Sequence, residues 1–214
     1  MRFDSSLTEI YRMPNFPPEV VREEKSQCRV PCSVAAQAGP VHEAFVAALP
    51  CEWRADSSTE IFSRLLWLKE GWYPLAMGFH LDWGPSAENS HRVETLVANF
   101  GGHSFTEFVV GSFELPDLPE ELRRRAWPAQ VESMVASGEL QTARLRSGVM
   151  ARFDNDTWHR ATPATSRGWR LLVRAIRGLP ASRRHDGTSK FTSVRNDYVP
   201  QTPGEIERYA SYCT

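Results

Sequence analysis

The sequence lacks any apolar run approaching the length of a membrane span, which excludes a transmembrane helix as its organising feature. Its first residues, Met1-Arg2-Phe3-Asp4, lack the apolar stretch of an export signal, so a cytoplasmic protein is expected. Charge of one sign is not in excess: 25 basic side chains face 26 acidic ones, for a net charge of −1. Without a basic excess or a long basic stripe, nucleic acid is disfavoured as a partner. Cysteine is scarce, at four residues: Cys28, Cys32, Cys51 and Cys213. The Cys28/Cys32 pair with His42 lacks the second pair of ligands of a structural zinc site, and reduced thiols are the expected state. Internal repeats and low-complexity tracts are missing as well.

What is present is the material of one ordinary domain. The chain has 214 residues, 41% of them hydrophobic and 11% aromatic, enough to bury a core without disulfides. The stretch to about residue 49 mixes helical and irregular signals, with Val41 to Leu49 (VHEAFVAAL) reading as a short helix. From residue 60 the pattern becomes strand-like: Ile61 to Leu68, Ala76 to Trp83, Arg92 to Phe100 and Ser104 to Phe113, punctuated by Gly and Pro. Pro119 to Leu140 breaks this with helical signals, resuming after Pro128 and capped by Gly138. Strands return at Gln141 to Arg146, Val149 to Phe153, Trp158 to Thr162 and Trp169 to Arg177. A polar segment and a short helix near Glu205 to Tyr212 close the chain.

Eight short strands with a helical insertion after the fourth fit a mainly β fold, a double-stranded β-helix (jelly roll, cupin-like) with flanking helices. The expected organisation is a single domain, 1–214. Its jelly-roll core spans about 60–177 and its insertion about 119–140, with extensions 1–59 and 178–214 packing on or capping the core.

His80-Leu81-Asp82 is the first motif with chemical content. On a strand, side chains two apart share a face, so the imidazole and the carboxylate can converge on one ion. His159, 79 residues later, follows a polar turn at Asp154-Asn155-Asp156 and supplies a third ligand. Two histidines and one carboxylate leave positions open on Fe(II) for a co-substrate and O2. Arg170 lies eleven positions beyond His159. On a strand it shares a face with Leu172, Arg174 and Ile176. An arginine pointing into a barrel is costly unless it meets an anion, and a guanidinium grips a carboxylate with two parallel hydrogen bonds. A dicarboxylate co-substrate is therefore expected at Arg170, with Arg174 a second anion contact or an exchangeable anchor. Thr95, Asn99, Trp83 and Trp158 are further pocket candidates, although strand alternation turns both tryptophans away from the metal.

This arrangement resembles the Fe(II)/2-oxoglutarate-dependent oxygenase superfamily. The matching pieces are His80-x-Asp82, His159 and Arg170. The stretch Gly148…Phe153…His159…Pro163…Arg170 is also similar to the C-terminal signature of the phytanoyl-CoA and taurine dioxygenase-like branches. The resemblance covers about residues 60 to 177. It implies a jelly-roll core, Fe(II) as cofactor, and 2-oxoglutarate and O2 as co-substrates. It also implies oxidation, most often hydroxylation, of a C–H bond in a small molecule.

Blander readings stand beside these. His80 and Asp82 also suit a strand hydrogen-bond pair, His159 a satisfied core histidine, and Arg170 a surface position on a basic strand. His91 and His103 read as solvent-facing or supporting, and His42 and His185 as surface. Arg123-Arg124-Arg125 reads as a solvated helix face and Arg183-Arg184-His185 as a solvated loop. Two other functions stay open. One is a cupin-type metal enzyme that does not use 2-oxoglutarate. The other is a non-enzymatic jelly-roll binding module.

Overall fold

The apolar run at Ile61–Leu68 is a strand buried on both faces, and the architecture grows from that fact. The computed structural model describes residues 1–74, 78–85 and 92–180. Its elements in order are β1 (Arg2–Ser5), β2 (Thr8–Arg12), α1 (Pro18–Glu23), β3 (Gln27–Pro31), α2 (Cys32–Ala35), α3 (Pro40–Ala48) and α4 (Cys51–Ala55). There follow β4 (Glu60–Leu68), β5 (Glu94–Phe100), β6 (Thr106–Glu114), α5 (Glu120–Ala136), β7 (Gln141–Arg144), β8 (Val149–Asp154), β9 (His159–Ala161) and β10 (Gly168–Arg177). Two antiparallel sheets result. The larger has the order β2-β8-β5-β10-β4-β3, and the smaller has β6 between β1, β7 and β9. This mainly β, two-sheet architecture is the jelly roll expected from the strand pattern.

Alternation along the central strands sorts side chains to the two faces of the large sheet. Leu65, Leu96, Ala98, Leu171, Val173 and Ala175 face away from the small sheet. They pack on Val21, Val41, Phe45, Leu49 and Trp53 of the N-terminal helices. Val97, Ala151, Phe153 and Leu172 meet Phe108 of β6 between the sheets. A sheet covered on both sides has no solvent face to keep polar, so β4 and β10 read as near-continuous apolar runs.

Three features differ from the sequence expectation. First, the N-terminal segment is more than a cap: β1 pairs with β6, β2 with β8 and β3 with β4. β2 is exposed throughout and β3 is half-buried or exposed, so neither carries an alternating apolar signal, and β1 alternates over four residues only. Second, Ala76–Trp83 is not a strand over its described part. Residues 78–85 are irregular, with one isolated bridge at His80, and Trp83 has a left-handed φ of 71° that ends any extended run. Third, α5 runs unbroken through Pro128. Gly138, at φ 79°, follows it as expected of a helix stop. The anticipated C-terminal helix, and His91, His185, Arg183, Arg184 and Cys213, lie outside the described residues. No helix among the described residues is long and apolar enough to cross a membrane.

His42 is a further correction. Expected at the surface, it is fully buried. Its Nδ1 contacts the Glu24 carboxylate and its Nε2 lies 2.7 Å from the Ser63 hydroxyl. Glu24 also accepts the Val41 N–H at 2.6 Å, so the trio joins α3 to β4. The short helix gave no hint, because the partners come from residues 18 positions before and 21 after. His42→Ala leaves a buried carboxylate without its partner and should cost about 3 kcal/mol of unfolding free energy. Urea unfolding followed by tryptophan fluorescence measures this, and a loss under about 1 kcal/mol would show that the trio bears little weight.

Candidate metal centre

β9 is three residues long, and its position is set by pairing with β6, where His159 lies opposite Phe108. On its other side the His80 N–H donates to the His159 carbonyl at 2.9 Å, and the His159 N–H donates back to His80 at 3.1 Å. Such a reciprocal antiparallel pair places both side chains on the same face. The imidazole centroids are accordingly 4.6 Å apart. Asp82 reaches the same point from the irregular segment that follows, its Oδ2 lying 3.6 Å from His159 Nε2. One ligand atom from each of His80, Asp82 and His159 lies within 4.8 Å of the others. The sequence argument anticipated convergence from strand alternation. The structure reaches it through one bridge and a bend.

Both histidines are oriented by backbone. His80 Nδ1 lies 3.1 Å from the carbonyl of Gly78, and His159 Nδ1 lies 3.1 Å from that of Thr157. A carbonyl only accepts, so Nδ1 carries a proton in each ring and Nε2 is the nitrogen left to ligate. This is the outer support that metal-ligating histidines use. His159 is walled by Phe108 and Phe153, at centroid distances of 5.5 and 5.1 Å.

The electrostatics favour a neutral His159 imidazole beside an ionised Asp82 carboxylate. Burial pushes His159 down to about 4, with His80 adding to the effect against the opposing pull of Asp82. Burial alone would raise the Asp82 carboxyl, but Arg174 and the two histidines outweigh it and hold it at about 2. At neutral pH His159 therefore offers a nitrogen lone pair and Asp82 an anion, with the His80 imidazole completing a two-nitrogen, one-oxygen donor set. That donor set suits Fe(II) and other divalent first-row metals. An ion about 2.1 Å from each ligand needs ligand atoms roughly 3–4 Å apart, and the Asp82–His159 pair already meets this.

The remaining candidates divide. Arg174 Nη1 donates to Asp82 Oδ2 at 2.5 Å, and its guanidinium stacks over Phe62 at 4.7 Å. Arg170 is buried on the same face of β10. Its Nη2 donates to Asn99 Oδ1 at 3.0 Å and Thr106 Oγ1 at 3.3 Å, and its Nε to the Ser104 carbonyl at 3.3 Å. These acceptors are all neutral, and no carboxylate pairs with Arg170 among the described residues. Burial, with Arg64 nearby, pulls Arg170 down to about 10. Asn99 thus serves Arg170 directly. Thr95 is buried on the same side of β5, opposite Phe153. Trp83 joins the cluster of Val93, Ile176 and Leu179, with the Arg29 guanidinium 5.7 Å from its ring. Trp158 does not line the site. It is core, edge-on to Phe3 at 5.8 Å and near Trp127 at 6.4 Å, because as the residue just before β9 it points opposite to its neighbour His159. His103, expected to face solvent or to support the site, is buried, and its ring abuts the backbone of Gly168.

Sequence reasoning missed Thr106 and Arg64. Arg64 lies opposite Leu172 on β4 and so shares the inner face with Arg170 and Arg174. Alternation along β4 (Phe62, Arg64, Leu66) was the available signal.

No protein-family model and no curated protein matches the sequence. Among solved structures the chain is similar to HygX from Streptomyces hygroscopicus with iron bound, at 17% identity over 83% of this chain and 84% of that one, TM-score 0.43. Apo HygX gives 17% identity over 85% and 84%, with the same TM-score of 0.43. EvdMO1 gives 19% identity over 69% of this chain, TM-score 0.42, and this chain spans 34% of its length. These likenesses are distant.

Calorimetric titration of the metal-free protein with Co(II), a redox-stable probe, tests the trio. His80→Ala and Asp82→Ala should each weaken binding more than ~100-fold, since even residues that only support ligands cost 10–100-fold. Affinities within a few-fold of wild type would mean that these side chains do not hold the ion.

Proposed function

We propose that the chain is an Fe(II)/2-oxoglutarate-dependent oxygenase acting on a small molecule. The observation that carries this reading is the pairing of two features in one inter-sheet space. One is a His80–Asp82–His159 trio with both Nε2 atoms free to ligate. The other is a buried Arg170 held by neutral acceptors alone. His80, Asp82 and His159 would hold Fe(II), which would activate O2, with 2-oxoglutarate giving up two electrons on decarboxylation and the C–H bond the other two.

The protein's own residues bind and orient. Asn99, Thr106 and the Ser104 carbonyl hold the Arg170 guanidinium in place before any ligand arrives, so little side-chain freedom is lost on binding. Arg170 would take the far carboxylate of 2-oxoglutarate, which answers why a cation is buried there without a counter-charge. Four residues along β10, about 13 Å at strand rise, Arg174 steadies the Asp82 carboxylate. Arg64 adds positive potential on the same face, favouring a doubly charged co-substrate over a neutral one. Phe108 and Phe153 shield His159 from water, which strengthens every charge interaction at the site.

Anaerobic titration with Fe(II) and then 2-oxoglutarate, read by visible absorption, tests the reading. A charge-transfer band requiring both additions and absent in His80→Ala is expected. Arg170→Ala should weaken 2-oxoglutarate by about 2 kcal/mol, or ~30-fold, with Fe(II) affinity little changed. Iron bound without any response to 2-oxoglutarate would favour a cupin-type enzyme, and no iron bound would leave a binding module.

A further inference from the structure

The two histidine-bearing segments come from distant parts of the chain, and each histidine has a sequence neighbour tied to one carboxylate on α5. Glu132 Oε1 accepts the Phe79 N–H at 3.2 Å, one residue before His80. Glu132 Oε2 pairs with Arg160 Nη1, one residue after His159. The Arg160 guanidinium also lies over the Phe79 ring at 4.3 Å and reaches Glu107 Oε2 at 2.7 Å. Phe79 is itself buried in the cluster that includes Trp127 and Val131 of α5. At the other end of the 78–85 segment, Asn155 Nδ2 donates to the Gly84 carbonyl at 3.1 Å. A segment with no strand of its own is thus fastened near its start by Glu132 and near its end by Asn155.

We infer that Glu132 is a positioning residue for the metal centre: it clamps the His80–Asp82 segment to β9 and so fixes the spacing of the two imidazoles. The helical insertion thereby becomes part of the site without touching the ion. Gly78 fits this picture. Its φ of 88° lets the chain turn so that its own carbonyl meets His80 Nδ1, and an added Cβ would sit 3.9 Å from Glu132 Oε1. The inference rests on the reading of His80, Asp82 and His159 as metal ligands. It asks only where those ligands are held, not what reaction follows.

The test compares wild type, Glu132→Ala and Glu132→Gln, with His80→Ala as the ligand-loss control. Two readouts are taken: Co(II) affinity by calorimetry, and hydrogen–deuterium exchange of the peptide spanning residues 79–82. Glu132→Ala should weaken Co(II) about 10-fold or more and speed exchange in that peptide. Glu132→Gln keeps an oxygen for the Phe79 N–H but cannot restore the ion pair to Arg160, so it should hold the His80 end, lose the tie to β9 and recover only part of the affinity and of the slow exchange. A role in overall stability alone would leave the Co(II) affinity of the folded variants at the wild-type value and would not confine faster exchange to residues 79–82. Wild type and Glu132→Ala binding Co(II) equally would overturn the clamp while leaving the metal centre intact. Wild type failing to bind Co(II) would overturn the metal reading and the positioning role with it.

Discussion

Two backbone hydrogen bonds between His80 and His159 hold the site together. They form between a three-residue strand and a segment with no strand of its own, yet they decide that both imidazoles leave the same face. His159 is in turn placed by β6, through the register that sets it opposite Phe108. A shift of one residue in that register would turn His159 into the core and bring Trp158 or Arg160 forward. The burial of Trp158 beside Phe3 and Trp127, and the pairing of Arg160 with Glu107, resist such a shift. Site geometry and core packing are therefore one constraint seen from two sides of a short strand.

The inner face of the large sheet carries an unusual load. Arg64, Arg170 and Arg174 alternate there with Phe62, Leu66 and Leu172, and burying guanidinium groups is costly. Each documented contact offsets part of that cost: Asp82 and the Phe62 ring for Arg174, and three neutral oxygens for Arg170. The remaining positive potential sits beside a trio able to hold a cation. Such a combination suits an anionic molecule that binds between the two, since it satisfies both at once.

The opposite face of the same sheet explains the N-terminal region. The helices α1, α3 and α4 cover it, β2 and β3 form the sheet's two edges, and β1 is an edge of the small sheet. The buried Glu24–His42–Ser63 trio ties this cover to β4. With helices on one face and the small sheet on the other, the central strands are held from both sides and the arginines they display have little freedom.

The strands from residue 60 onward, the insertion helix and the alternation on β10 were legible in the sequence because burial writes itself as apolar periodicity and Gly or Pro punctuation. Chemistry also showed through: a histidine and an aspartate two apart, a later histidine and a following arginine are few enough residues to single out. The sequence by itself thus determined the mainly β class and named the three residues that meet. It could not show the irregular path of 78–85, the exposed strand β2, the burial of His42 or the neutral cradle of Arg170. Each of these depends on partners tens of residues away, and a contact across such a distance leaves no local periodic trace. Tertiary structure alone decided how His80 meets His159, because backbone hydrogen bonds between distant segments are indifferent to side-chain identity and so are not written in it.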